Sequence, residues 1–168
     1  MIRVRPERPA DVAAVDAIHR AAFVRADEAR IVAELRRGHV EFLSLVAELD
    51  GAVAGHVAFS AVRIDGPPAP PAAGLGPLAV RPDVQRRGIG SALVHAGLAA
   101  CPGNGWRLVF VLGEPAYYSR FGFTLAAPLG LRYESEAFDR GFQVRELAPG
   151  ALAGCRGLVR YADAFAVG

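Results

Sequence analysis

The sequence predicts a single mixed α/β domain over residues 1–168. Two apolar stretches flank the turn dipeptide Asp50-Gly51, a pattern typical of an antiparallel hairpin. A third apolar stretch, residues 75–80, leads through a glycine-rich turn into a helical run, which predicts a crossover to the apolar strand at residues 108–112. The length of 168 residues and the apolar fraction of 52% allow one folded core.

The first part of the chain predicts a strand, two helices and a hairpin. Ile2 and Val4 alternate with arginines, as in a half-buried strand. One helix begins with Asp11 as its cap, and a second, over residues 27–37, ends at Gly38. The apolar positions of the two helices are Val12, Val15, Ile18, Ala22 and Phe23, and then Ile31, Val32 and Leu35. The hairpin strands are expected over residues 42–48 and 53–60.

The remaining chain predicts further strands around a central helix. The proline-rich residues 65–73 are expected to form a connecting loop. Pro77 cannot donate a hydrogen bond within the strand at residues 75–80, which indicates a bulge or an unpaired edge. The other expected elements are a helix over residues 88–100, a strand over 108–112, a short helix over 115–121, and strands over 142–147 and 157–161.

Composition argues against several classes of protein. The net charge of +2 is too small to predict binding to nucleic acid. No apolar run approaches the length of a membrane span, and the first residues are typical of a strand rather than a signal peptide. Cys101 and Cys155 lack metal-ligand spacing and are interpreted as buried, reduced thiols. We therefore expect a cytoplasmic protein with no metal.

The glycine turn, residues 85–91, is the strongest functional signal in the chain. Gly88 and Gly90 let the backbone approach an oxyanion closely, and the start of the following helix favours negative charge. The turn therefore predicts a phosphorylated cofactor. A Walker loop would require a lysine, which the chain lacks, and a dinucleotide fingerprint would require a small residue where Leu93 stands.

In this context, the glycine turn resembles the cofactor motif of the GNAT family of N-acetyltransferases, Gln/Arg-x-x-Gly-x-Gly/Ala. Residues 78–82 resemble the family's fourth strand and its exit, and residues 111–123 resemble its aromatic helix ending in Gly-Phe. The resemblance implies a central mixed, mostly antiparallel sheet, flanked by helices, in which the fourth and fifth strands splay apart. It also implies acetyl-CoA as cosubstrate and a small-molecule or peptide amine as acceptor. We expect a monomer or homodimer, and the charge and the short apolar runs argue against nucleic-acid and membrane partners.

By this resemblance, two segments hold the cofactor. Backbone groups of Leu78 and Val80 would bind the pantetheine arm, and the glycine turn would bind the pyrophosphate, where a Cβ at Gly88 or Gly90 would hold the phosphate off. The two arginines of the turn would add charge-assisted hydrogen bonds. The complete expected set is Leu78, Ala79, Val80, Gln85, Arg86, Arg87, Gly88, Ile89, Gly90, Ser91 and Tyr118.

The resemblance gives two of the catalytic candidates, and side-chain chemistry and position give the others. Tyr118 matches the family's tyrosine that stabilises the departing thiolate. The pKa of a phenol is about 10 and that of a thiol about 8.5, so proton transfer to the thiolate is uphill. Tyr118 is therefore expected to donate a hydrogen bond and to transfer its proton late. A backbone N–H of residues 78–80 would stabilise the oxyanion. Glu114 and His56 are candidate bases, although Glu114 also fits a helix cap and His56 a satisfied core histidine, and bulk water is a third alternative. The other histidines are interpreted as surface or helix-end residues: His19, His39 and His95.

The sequence therefore predicts direct transfer of an acetyl group from acetyl-CoA to a primary amine, since neither cysteine lies in an activating motif. The alternative is a non-catalytic acyl-CoA-binding sensor or interaction module on the same fold. Acceptor specificity is expected from the first two helices, the loop before Leu75 and the segment after Phe123. Glu28 and Glu34 are interpreted as solvated helix residues, with binding of a cationic acceptor as the alternative.

Overall fold

A computed structural model describes residues 1–166. Its strands are β1 (Ile2–Pro6), β2 (Phe42–Leu49), β3 (Ala52–Asp65), β4 (Ala72–Val80), β5 (Leu108–Leu112), β6 (Thr124–Leu125), β7 (Leu131–Tyr133), β8 (Phe142–Glu146) and β9 (Gly157–Arg160). Its α-helices are α1 (Val12–Ala22), α2 (Asp27–Arg37), α3 (Ile89–Ala100) and α4 (Pro115–Tyr118). None of the helices within residues 1–166 has both the length and the hydropathy needed to cross a membrane.

The strands form one mixed sheet in the order β1-β2-β3-β4-β5-β8-β6, and β9 joins it by pairing with the end of β3 and with β7. β4 and β5 run parallel, whereas β3–β4 and β5–β8 are antiparallel. The parallel pair requires a crossover connection, which α3 supplies. The expected mixed, mostly antiparallel sheet is confirmed.

Helices cover both faces of the sheet. Successive side chains of β3 point to opposite faces, so neighbouring residues of this strand pack against different helices. Phe59 is fully buried against α3, where Gly97 leaves room for its ring. Ala58 is buried on the other face, in a cluster with Ile31 and Leu35 of α2. The glycine turn at the start of α3 is thereby fixed to the sheet through the packing of that helix.

The predicted elements differ from the observed ones only locally. α2 has the predicted bounds, and Asp50 and Gly51 have positive φ angles of 52° and 85°, as a type I′ hairpin turn requires. β4 begins at Ala72, so the proline-rich loop is shorter than expected. The sequence does not predict β7, because its three residues are too few to show an alternating pattern.

Asp11 lies at the N-cap position of α1, as predicted, but its side chain forms no capping hydrogen bond to that helix. Its carboxylate instead accepts a hydrogen bond from the backbone N–H of Arg8 at 2.7 Å and pairs with Arg5 at 2.7 and 3.0 Å. The hydrogen bond from Arg5 lowers the pKa of Asp11 to about 2. Since Arg5 also binds Glu48 at 2.8 Å, these contacts connect β1 and β2 to the start of α1.

Candidate active site

The candidate site lies where β4 and β5 separate. The two strands pair only up to Leu75, whereas β4 stays paired with β3 as far as Val80. The β3–β4 register shifts between Val57 and Phe59, beside Pro77, which is the bulge that the missing proline N–H predicts. Within the described residues, the β5-facing edge of β4 beyond Leu75 therefore has no strand partner, and it opens onto a cavity.

This first cavity, the cofactor groove, has a volume of about 580 Å³. Its lining comprises Leu78, Ala79, Val80, Gln85, Arg86, Gly88, Gly90, Ser91, Ala22, Phe23, Tyr117 and Arg120. Three residues of the expected cofactor set lie elsewhere. Arg87 is exposed outside the lining, and the side chain of Ile89 is buried in the core, which leaves only its backbone for a ligand. Tyr118 lines a neighbouring cavity.

The two glycines of the turn are required for different reasons. Gly88 precedes α3 with a φ of 85°, which a residue with a side chain rarely adopts, and an added Cβ would meet nothing within 4 Å. A Cβ on Gly90 would instead lie 2.8 Å from the hydroxyl of Tyr117. The amide of Gln85 donates to the carbonyl of Val80 at 3.1 Å and so connects the turn to the end of β4.

The Gly90→Ala variant is expected to weaken CoA binding by about tenfold, because the added Cβ displaces the Tyr117 side chain in the groove. Removing that hydroxyl in the double variant Gly90→Ala/Tyr117→Phe should restore most of the affinity. Isothermal titration calorimetry with CoA measures both, and Gly103→Ala, where a Cβ meets nothing within 4 Å, is the control. If the double variant binds CoA no better than Gly90→Ala, the glycine is required by the phosphate itself rather than by Tyr117.

Arg120 lines the groove, although no motif in the sequence indicates it. Its guanidinium lies 4.5 Å from the ring centroid of Tyr117 and 5.4 Å from that of Phe121, and its Nε donates to the carbonyl of Tyr117 at 3.2 Å. These contacts hold a positive charge at the groove. Its position three residues after Tyr117 on a predicted helix is the only sequence signal that could have indicated it.

A second cavity, of about 400 Å³, is lined by residues of both β4 and β5 and shares Phe23 and Leu78 with the cofactor groove. Tyr118 lines it and packs closely on Gly113, where a Cβ would lie 2.5 Å from the tyrosine ring. Burial, together with the neighbouring Tyr117, raises the pKa of Tyr118 to about 12. This phenol therefore stays protonated at any physiological pH.

Neither candidate base lines either cavity. Glu114 is exposed, and its Oε1 accepts a hydrogen bond from the backbone N–H of Ala116 at 3.4 Å as the N-cap of α4. His56 is fully buried in β3 and bonded to other side chains. His19 lies in the last turn of α1, as the helix-end interpretation has it, but the surface interpretation is wrong, since His19 is also fully buried and contacts His56.

The two histidines belong to a buried hydrogen-bond chain that begins at an ion pair. Glu7 pairs with Arg36 and accepts the proton of Ser44 Oγ at 3.0 Å. Ser44 Oγ must then accept from His56 Nε2, 2.7 Å away, and His56 Nδ1 from His19 Nε2, 2.8 Å away. His56, which donates at one ring nitrogen and accepts at the other, is thus neutral. Burial and the charge of Arg36 lower the pKa of His19 to about 4, and burial lowers that of His56 as well.

The buried hydrogen-bond chain of His19 and His56 predicts that the fold loses stability in mild acid. The pKa of His19 is lower in the folded protein than the unfolded value of about 6.5, so protonation favours the unfolded chain. The stabilisation by neutral His19 is complete above pH 6.5 and is lost as the pH falls towards 4. Between pH 7 and pH 5.5 we expect the free energy of unfolding, measured with urea, to decrease by about 1 kcal/mol. His19→Gln should reduce this slope, and His39→Gln, at an exposed residue, should keep it. An unchanged slope in His19→Gln would contradict the assignment.

The fold and site together define a GNAT acetyltransferase, and comparison with known proteins agrees. The profile described as "Acetyltransferase (GNAT) domain" matches residues 3–126. The "Uncharacterized N-acetyltransferase YhbS" of Escherichia coli K12 is 41% identical over 163 residues, which cover 96% of this chain and 97% of that protein. The chain therefore belongs to the GNAT family and is an N-acetyltransferase, as the glycine turn and its context predict.

Solved structures support the same assignment. The crystal structure of E. coli YhbS in complex with CoA has a TM-score of 0.91, with 41% identity, and the match covers 98% of this chain and 91% of that one. A GNAT family acetyltransferase from Brucella melitensis in complex with acetyl-CoA has a TM-score of 0.80, with 37% identity over 99% of each chain. The expected family and fold are confirmed.

Proposed function

We propose that this chain transfers an acetyl group from acetyl-CoA directly to a primary amine, with the two substrates in the cofactor groove and the second cavity. The observation that carries the proposal is that the cofactor groove and the second cavity meet at Phe23 and Leu78. A thioester lying along the free edge of β4 is then accessible to an acceptor in the second cavity. The CoA and acetyl-CoA complexes of the two relatives support the choice of donor.

In this proposal the cofactor lies along the free edge of β4. The pantetheine arm binds backbone groups of residues 78–80 as an added strand would, and one of these N–H groups stabilises the oxyanion. The pyrophosphate lies on the glycine turn, at the positive end of α3. Arg86 and Arg120, which both line the groove, supply charge-assisted hydrogen bonds.

Adjacent arginines of the turn provide a matched test of this placement. Arg86→Ala is expected to weaken CoA binding by about tenfold, because Arg86 lines the groove. Arg87→Ala, which removes an exposed side chain outside the lining, should change the dissociation constant by less than about twofold. Calorimetry at fixed ionic strength measures both. Equal losses in the two variants would show that the effect is general surface charge rather than a bound phosphate.

The reaction forms a C–N bond and breaks the C–S bond, so that the sulfur leaves with the electron pair. We assign Tyr118 as the hydrogen-bond donor to this thiolate. With the pKa of Tyr118 at about 12 and that of the thiol at about 8.5, complete transfer from the phenol is uphill by roughly 5 kcal/mol. Tyr118 therefore keeps its proton, unlike the late transfer expected from the sequence, and the departing thiolate takes up a proton from water. The proton that the amine loses passes to bulk water, because neither Glu114 nor His56 lines the cavities.

The cysteines support a direct mechanism. Cys101 and Cys155 are both buried and free, and burial raises the pKa of Cys101 to about 12 and raises that of Cys155. A thiol in this state is a poor nucleophile, so no acetyl-cysteine intermediate is proposed. Two free, reduced thiols also support the proposed cytoplasmic location.

Two measurements test the two halves of the proposal. Calorimetry with CoA tests the donor site, and absence of binding at millimolar CoA would contradict it. A panel of primary amines with saturating acetyl-CoA, monitored by release of free thiol, tests transfer. The sensor alternative predicts that CoA binds normally and that no amine in the panel releases thiol.

A further inference from the structure

The second cavity has aromatic walls that the proposed transfer reaction alone does not explain. Its lining includes Phe23, Tyr118, Tyr133, Tyr161 and Phe165. Tyr161 contacts both neighbours, with ring centroids 5.3 Å from Tyr133 and 5.1 Å from Phe165. Its hydroxyl is buried without a hydrogen-bond partner among residues 1–166. Such walls favour a ligand with an aromatic or other flat apolar body.

Among the described residues that line this cavity, Glu28 is the one with a charged side chain. It is partly buried on α2, and within the described residues it forms no ion pair. The other carboxylates of α2 differ, since Asp27 pairs with Arg25 at 3.2 Å and Glu34 pairs with Arg37. A carboxylate left unpaired beside aromatic rings is the arrangement that binds an ammonium group.

The arginines of an adjoining cavity do not make this cavity suited to an anion. Arg63 and Arg160 line an adjoining cavity, which shares Tyr133 and Tyr161 with the second cavity. Both guanidinium groups are bound to the carboxylate of Asp65. Negative charge on a ligand would thus meet Glu28 without a compensating cation in the lining.

We propose that the acetyl acceptor is a small arylalkylamine, whose ammonium group is recognised by Glu28 and whose ring packs among Phe23, Tyr161 and Phe165. This inference rests on the proposed function, because it assigns the second cavity to the acceptor. The volume of about 400 Å³ is that of a small-molecule site, at the lower end of the usual range of about 300–1,000 Å³. The cation form is selected on binding, and the amine then loses one proton to water before it attacks the thioester.

Calorimetry with 2-phenylethylamine tests the recognition directly, in the free protein and in the protein saturated with CoA. The comparison ligands are 2-phenylethanol, which keeps the ring without the charge, and 3-phenylpropionate, which reverses the charge. We expect the amine to bind at least about tenfold more tightly than the alcohol and the carboxylate to bind more weakly than both. Equal affinities for the amine and the alcohol would overturn the proposal.

Variants on α2 supply the matched comparison. Glu28→Gln should remove the preference for the amine over the alcohol, whereas Glu34→Gln, at a residue outside the lining and paired with Arg37, should retain it. Phe165→Leu should weaken the amine and the alcohol equally, since the ring contacts both. Circular dichroism and urea denaturation confirm that each variant is folded. Retention of the preference in folded Glu28→Gln would also overturn the proposal.

Turnover separates this inference from the proposed function. Thiol release with 2-phenylethylamine, sensitive to Glu28→Gln mainly in KM, supports both. If the protein acetylates an alanine-initiated peptide but neither binds nor acetylates the arylalkylamine, the proposed function stands and the acceptor assignment is wrong. If the amine binds with the expected dependence on Glu28 while CoA does not bind, the proposed function fails and the cavity remains an amine site of another kind.

Discussion

The Tyr118→Phe variant is expected to lose about 100-fold to 1,000-fold in kcat while binding CoA within about twofold of the parent protein. The substitution removes one hydroxyl and leaves the ring, which packs on Gly113 and near Phe123 at a centroid distance of 5.8 Å. The fold and the groove should therefore be unchanged. The hydroxyl is required only when the sulfur becomes negatively charged, because a hydrogen bond to a thiolate is much stronger than one to a thioester.

The pH dependence of this reaction follows from the raised pKa of Tyr118. The active form of the phenol is the protonated one, and with a pKa of about 12 it remains protonated throughout the accessible range. The rate should therefore rise with pH as the amine is deprotonated, without a fall due to tyrosine ionisation below about pH 11.

Steady-state thiol release measures these effects with any amine that the parent protein acetylates. Tyr117→Phe is the control: Tyr117 lines the cofactor groove rather than the second cavity, so loss of its hydroxyl should leave kcat within about twofold of the parent protein. An unchanged kcat in Tyr118→Phe would exclude the tyrosine from stabilisation of the leaving group. A fall in activity of the parent protein near pH 8.5 would point to a different titrating donor.

The donor half of the site could be predicted from the sequence because its signals are local. The glycine turn is seven consecutive residues between an apolar strand and a helix, and Pro77 alone indicates where β4 can lose a partner. For the acceptor half, the sequence predicts only the contributing segments, namely the first two helices and the chain after Phe123, and not which of their side chains share one cavity. Glu28 and Tyr161 line the same cavity although 133 positions separate them in the chain, and only the paired sheet brings them together.

The error at His19 has a different origin. His19 follows Val15 by four residues and precedes Phe23 by four, so the helical spacing already placed it on the apolar side of α1. Its polar chemistry favoured an exposed interpretation. The buried partner that satisfies it, His56, lies 37 positions away on β3, and no local pattern connects a helix to that strand.

The Gly97→Ala variant is expected to destabilise the fold by about 2 to 3 kcal/mol, against the usual trend for helices. Alanine in place of glycine inside a helix normally stabilises it by about 1 kcal/mol. Here the added Cβ would lie 2.1 and 2.4 Å from two ring atoms of Phe59, which is fully buried in β3. Either the ring leaves its rotamer or α3 moves away from the sheet, and both lose packing in the main core.

Urea denaturation measures the loss of unfolding free energy in Gly97→Ala. Gly103→Ala is the control, because a Cβ at residue 103 meets nothing within 4 Å. This control should change the free energy of unfolding by less than about 0.5 kcal/mol. The double variant Phe59→Leu/Gly97→Ala should be more stable than the sum of the two single effects predicts, because the smaller side chain accepts the new methyl group. Additive effects would show that Phe59 is not the obstacle.

Because α3 begins at the glycine turn, a helix displaced from the sheet also moves Gly90 relative to β4. Folded Gly97→Ala should therefore bind CoA more weakly, and the double variant should recover affinity together with stability.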